Sequence, residues 1–127
     1  MRAIDSGELL ADFTAGRLDP RQFPHRGHVR VSYELLERHS FPEALLHLAR
    51  GLRRLAAKAG HPEKYHETIT AAFLSLIAER RWRVAYSDFD EFAEANPDLL
   101  RKDFLEQFYS PAILRSRIAR ETFVLSR

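Results

Sequence analysis

An all-α fold is expected, a small helical bundle with three long helices in the middle and shorter helices toward both ends of the chain. Three observations predict it. Apolar residues recur every three to four positions through the central stretches, no segment sustains strict alternation, and the six prolines and five glycines act as punctuation. The 127 residues, 45% hydrophobic and 30% charged, suit one soluble domain with a single core. Nine phenylalanines make that core aromatic-rich.

The first helix is expected over Ser6–Ala15, with Ser6 as N-cap and Leu9, Leu10 and Phe13 facing inward. Gly16 stops it, and Asp19-Pro20 begins a turn. After a loop through Phe23, Pro24 suits the first position of a second helix that runs to about Arg38. Its inner stripe is His25, His28, Val29, Ser32, Leu35 and Leu36. Gly27 costs such a helix roughly 1 kcal/mol relative to Ala. Simple tolerance of that cost is the preferred reading, with a close neighbour or ligand as the alternative.

Ser40-Phe41-Pro42-Glu43 supplies a cap and first turn for a third helix over about Pro42–Ala59. Ala44, Leu45, Leu48, Leu52, Leu55 and Ala56 form its stripe. Gly60 ends it, and Pro62 opens a fourth helix that reaches about Arg83. Tyr65, His66, Ile69, Thr70, Phe73, Leu76 and Ile77 mark its inner side. Shorter helices follow at Ser87–Ala95, roughly Leu99–Phe108, and Pro111 to about Glu121, with Phe123-Val124-Leu125 as an extended tail.

Composition removes several function classes. No cysteine is present, which excludes disulfides, a thiol nucleophile and thiolate metal sites and leaves nitrogen and oxygen ligands. The net charge is +2, and the pI of about 9.2 reflects 17 arginines against 3 lysines. Basic groups at Arg50/Arg53/Arg54, Arg80/Arg81/Arg83 and Arg115/Arg117/Arg120 fall on predicted solvated helix faces. So small a net charge gives no strong electrostatic footprint, and no nucleic-acid partner is expected. No run approaches the ~18 apolar residues of a membrane span. Asp5, Glu8 and Asp12 interrupt the first twenty residues, so no signal peptide is expected either. A cytoplasmic protein of bacterial type, without a membrane partner, is the expectation.

Two polar clusters stand on apolar helix faces: His25-Arg26-Gly27-His28 and Tyr65-His66-Glu67-Thr68. Burying such groups costs free energy unless they are paired, hydrogen-bonded or bound to a metal. Short loops around the third helix make the second and fourth helices parallel neighbours, so the clusters should meet at one end. Residues three apart share a helix face, so His25 and His28 can take one ion, with His66 as a third nitrogen ligand. Glu67 would be the fourth ligand or a general base beside a bound water. A divalent transition metal, zinc, iron, nickel or copper, suits that donor set. The positive helix ends would hold the rings neutral and ready to ligate, although the same field opposes a cation. Thr70 stands where a zinc-protease helix has its second histidine, so that motif fails. Glu63-Lys64-Tyr65-His66 matches one half of a di-iron motif and lacks the second copy.

Each residue also has a plainer reading. His25 can bond locally at a helix start, and paired histidines can hydrogen-bond to Ser, Thr or carboxylate. Glu67 can form a salt bridge with Arg26 or Arg30. Ser32 and Thr70 can bond the preceding helical turn, or contact a ligand. Tyr65 reads as a core aromatic whose hydroxyl reaches the rim of the site, and Tyr109 as a cover at the bundle end. His39, His47 and His61 read as solvated.

Phe23-Pro24-His25-Arg26-Gly27-His28, Lys64-Tyr65-His66-Glu67-Thr68-Ile69-Thr70, Ala95-Asn96-Pro97-Asp98-Leu99-Leu100 and Tyr109-Ser110-Pro111 together carry a resemblance. With Leu114, Ala119-Arg120 and Phe123-Val124 it extends from about position 23 to the end. In these motifs the chain resembles a family of small uncharacterised bacterial proteins. The resemblance implies motif positions and an all-helical fold, and no activity.

Three functional readings follow. The first is a helical metal-binding protein, extending to a metal-dependent enzyme, with His25, His28, His66 and Glu67 at the metal. The second is a non-catalytic module that takes a small molecule or anion between the N-termini of the second and fourth helices. Backbone N–H groups, Arg26, Arg30 and protonated histidine would supply its attraction, with Tyr65, Thr70, Ser32 and Tyr109 beside the ligand. The third is a structural or homodimerising bundle, in which exposed aromatics such as Trp82 meet a partner.

Overall fold

Helix ends in this chain follow directly from local chemistry. The computed structural model describes residues 6–127, with side chains from Glu8 onward, so the expected cap at Ser6 lies outside the described side chains. Seven α-helices occur among the described residues: α1 (Ser6–Ala15), α2 (His25–Arg38), α3 (Phe41–Lys58), α4 (Glu67–Arg83), α5 (Phe89–Ala95), α6 (Pro111–Leu114) and α7 (Arg117–Glu121). Short 3-10 turns stand at Pro20–Gln22, Pro62–Lys64, Pro97–Leu100 and Phe104–Gln107. The described residues contain no strand, and none of their helices is long and apolar enough to cross a membrane.

α1 and α3 both end on a glycine with positive φ, +75° at Gly16 and +81° at Gly60. In each, the glycine N–H and the next N–H return to carbonyls of the last helical turn, to Phe13 and Asp12 in α1 and to Ala57 and Ala56 in α3. Cations from α3 finish the first end: Arg54 donates to the Thr14 carbonyl at 2.7 Å, and Lys58 to the Leu18 carbonyl at 2.9 Å. Ser40 caps α3 through the Glu43 N–H and Asp88 caps α5 through the Glu91 N–H.

Departures from expectation concentrate where prolines and caps subdivide a periodic run. Pro62 opens only a 3-10 turn; Tyr65 and His66 are extended, and α4 starts at Glu67. The expected helix over Leu99–Phe108 is two 3-10 turns. Ser116 caps a new helix through the Ala119 N–H, which splits the expected Pro111–Glu121 helix into α6 and α7.

α2 and α4 are buried on more than one side. Val29 and Tyr33 of α2 join Phe73 and Ile77 of α4 in a cluster with Phe92, Leu99, Phe104 and Val124. Val31 and Leu35 of α2 join Leu74 of α4 in a second cluster with Phe13, Leu18, Phe23 and Leu48. Leu36 packs against both. Two linked clusters therefore replace the expected single core, because α2 is flanked by α1 and α3 on one side and by the C-terminal third on the other. That arrangement also buries Glu34, only 2% exposed, whose carboxylate accepts from Arg30 at 3.0 Å. Burial pushes this carboxyl above its ordinary range, against the pull of Arg30.

Two helical glycines are explained by phenylalanine. A Cβ at Gly27 would lie 2.9 Å from the Phe23 ring, so a close neighbour, and not simple tolerance, accounts for it. At Gly51 a Cβ would lie 2.1 Å from the Phe13 ring. Replacing a helical glycine by alanine ordinarily stabilises by about 1 kcal/mol, but overpacking costs typically 1–3 kcal/mol. We therefore expect Gly51→Ala to lower stability in urea unfolding by about 1 kcal/mol. In a Phe13→Leu background the same change should be neutral or stabilising. A Gly51→Ala protein more stable than wild type would contradict this packing.

Candidate functional site

The start of α4 is built by side chains that satisfy backbone. His66 is the N-cap: its Nδ1 accepts from the Ile69 N–H at 3.1 Å, and its Nε2–H donates to the Leu114 carbonyl at 2.7 Å. Because a carbonyl can only accept, the hydrogen must sit on Nε2. Both ring nitrogens are then committed. Thr70 donates to the His66 carbonyl at 2.7 Å. Thr68 donates to the Thr122 carbonyl at 2.7 Å and accepts from the Val124 N–H at 3.1 Å. The Tyr65 hydroxyl donates to Glu67 at 2.5 Å, and Arg53 lies over the Tyr65 ring. Burial, reinforced by that bond to Glu67, pushes the Tyr65 phenol up to about 12.

Opposite stands the first turn of α2. His25 Nε2–H donates to the Leu99 carbonyl at 3.0 Å, and the ring meets Phe73 edge-on at 5.0 Å. His28 stacks on Phe23 with ring centroids 4.3 Å apart. Burial lowers the His28 pKa to about 4, with His25 and Lys102 adding to the effect and a bond to the Phe23 carbonyl opposing it. Burial also lowers the His25 pKa; the Leu99 carbonyl opposes this and Lys102 reinforces it.

Between these two starts, and closed on the third side by α3, lies a cavity of about 500 Å³. His25, His28, Ser32, Tyr65, His66 and Thr70 all reach its lining, so the two motifs meet as their spacing implied. Its apolar wall comes from Leu48, Leu52 and Leu55 of α3, Val29 of α2, and Ile69, Phe73 and Ile77 of α4. Lys64 and Lys102 also line it. The inner stripes of the long helices announced the apolar wall. Nothing in the sequence announced Lys102, which the 3-10 turns of the C-terminal third bring back from 74 residues beyond His28.

Other expected site residues lie elsewhere or are otherwise engaged. Arg26 is exposed, pairs with Asp90 at 3.4 Å and lies over the Phe89 ring. Arg30 pairs with Glu34 and also lies over Phe89. Neither arginine lines the cavity, and neither meets Glu67, whose ion pair is with Arg53 at 3.7 Å. Tyr109 is buried in the core and donates to the Val124 carbonyl at 2.8 Å, away from the cavity. Ser32 lines the cavity while donating to the His28 carbonyl at 2.9 Å. His39 and His47, expected in solvent, are partly buried and pack on each other at 4.5 Å. His61 is exposed, and Trp82 is 90% exposed.

The expected metal set does not assemble in this arrangement. Among the described residues, no group of three or more His, Asp or Glu side chains could hold a metal ion. The physical reason is that His66 has spent both nitrogens on backbone and Glu67 faces Tyr65 and Arg53. The same neutral His28 and outward arginines remove most of the attraction expected for a small anion between helix ends.

No protein-family model, curated protein or solved structure matches the chain.

The lowered His28 pKa makes stability depend on pH in a definite direction. Near neutral pH the imidazole is uncharged in both folded and unfolded chains. Between its unfolded pKa of about 6.5 and its folded value of about 4, the unfolded chain binds a proton that the folded chain refuses. Stability should therefore fall as pH drops through that window, by up to about 3 kcal/mol from His28. His25 adds in the same direction. Urea unfolding across pH should show a shallower acid loss for His28→Gln than for wild type; equal slopes would contradict the enclosure of this ring.

Proposed function

We propose that this protein binds a small, mainly apolar molecule in the cavity framed by α2, α3 and α4. The three longest helices, of 14, 18 and 17 residues, serve in this reading as the frame of a small bundle. The observation that carries it is the cavity itself. Its volume of about 500 Å³ is that of a ligand pocket, and an aliphatic and aromatic wall surrounds a few convergent polar groups. Those groups divide their work. His66, Ser32 and Thr70 are engaged with backbone and hold the wall's shape. His25 retains an unspent Nδ1, which can accept a hydrogen bond from an occupant. Among the described residues, the lining hydroxyls of Ser32 and Thr70 donate to backbone carbonyls and not to a base, which favours binding over catalysis. The donor commitments that disperse the metal set also favour an organic occupant.

The neutral fluorophore N-phenyl-1-naphthylamine tests this reading. Its emission should rise and shift to the blue on titration with the protein, saturating at one molecule per chain. Ala56→Trp places an indole into the cavity from α3 and should abolish the response, with the helical circular dichroism retained. Absence of saturable binding, or equal binding by the well-folded tryptophan variant, would remove the proposal.

A further inference from the structure

The cavity's formal charge is one-sided. Lys64, at the end of the Pro62–Lys64 turn, and Lys102, in the loop after Pro97–Leu100, line it, and no Asp or Glu does. Several exposed cations nearby have carboxylate partners: Arg53 pairs with Glu67, Arg26 with Asp90 and Arg101 with Asp103. Neither lining lysine has an ion pair or a side-chain hydrogen bond among the described residues. A single unpaired surface lysine is ordinary, because an ammonium is well hydrated. Two on the lining of one apolar cavity, whose neighbouring acids Glu63 and Asp103 pair with His61 and Arg101 instead, give its entrance a positive potential that a low-dielectric wall focuses. Lys102 stands close enough to His25 and His28 to disfavour their protonation, which places its charge on the α2 side.

An uncharged apolar ligand would leave both ammonium groups unused, whereas an inorganic anion would leave the apolar wall unused. A molecule with both parts uses both. We propose that the occupant is an amphipathic organic carboxylate, its apolar body against α3 and α4 and its anionic head at Lys64 and Lys102. This rests on the proposed role of the cavity as a binding site and names the ligand's chemical class.

Octanoate and octan-1-ol separate the two claims by isothermal titration calorimetry on the full chain. A purely apolar cavity prefers the alcohol, since a carboxylate is costlier to desolvate. Wild type should instead bind octanoate at least about tenfold more tightly, with the margin shrinking as salt is added. The exposed-site double variant Lys64→Gln/Lys102→Gln should lose that margin while binding octan-1-ol unchanged. Equal or tighter binding of the alcohol by wild type overturns the anion assignment and leaves the cavity reading standing. An octanoate preference that survives in the double variant overturns the assignment to these lysines. Failure of both ligands to bind overturns the cavity reading as well.

Discussion

Buried backbone at the joints between helices is the constraint on which this structure depends. A chain that turns so often carries many N–H and C=O groups that no helix satisfies, and those shielded from water need partners. Thr68, with 0% exposure, answers this most completely: its one hydroxyl joins the Thr122 carbonyl and the Val124 N–H. The C-terminal tail is thereby fastened to α4, and the Tyr109 hydroxyl fastens the same tail through the Val124 carbonyl. Losing a buried partner of this kind costs about 1–3 kcal/mol, a substantial part of a small domain's stability.

The histidines belong to the same system. His66 bridges the α4 amides to α6 through Leu114, and His25 bridges α2 to the Pro97–Leu100 turn through Leu99. That turn is held from its other side by Arg80, which donates to Asp98 at 2.8 Å and to Asn96 at 2.9 Å, while Asn96 donates to the Phe92 carbonyl. The His66–Leu114, His25–Leu99 and Arg80–Asp98 bonds each run between the long helices and the C-terminal third. Together they fasten the starts of α2 and α4, which both border the cavity, to the C-terminal third. Phe23, seated over Gly27 and stacked on His28, closes the space beside α2.

Much of the fold was legible in the sequence. Periodicity located α1 to α4, and Gly16, Ser40 and Gly60 marked their ends, because these signals act within a single turn of chain. The meeting of the two histidine motifs at one place also followed from short loops and helical rise. What the sequence could not convey was the consumption of hydrogen-bonding capacity by distant backbone. The Leu99 and Leu114 carbonyls bear no signature that matches them to His25 and His66, so both rings resembled free donors to a metal. Glu34 escaped notice for a related reason: its burial depends on α2 being flanked on several sides, which no one-helix pattern reveals. Lys102 reaches the cavity only through 3-10 turns whose path is set by packing.

The central claim is that these imidazoles are fasteners with fixed tautomers. Long-range nitrogen–proton correlation spectra of uniformly ¹⁵N-labelled protein at neutral pH test it most directly, because ring nitrogen shifts distinguish protonated, bare and metal-bound states. The account predicts His25 and His66 as Nε2–H tautomers with a bare Nδ1, their Nε2 protons protected from exchange by the Leu99 and Leu114 carbonyls. Nδ1–H tautomers, or nitrogen shifts of a metal-bound ring at either residue, would contradict it.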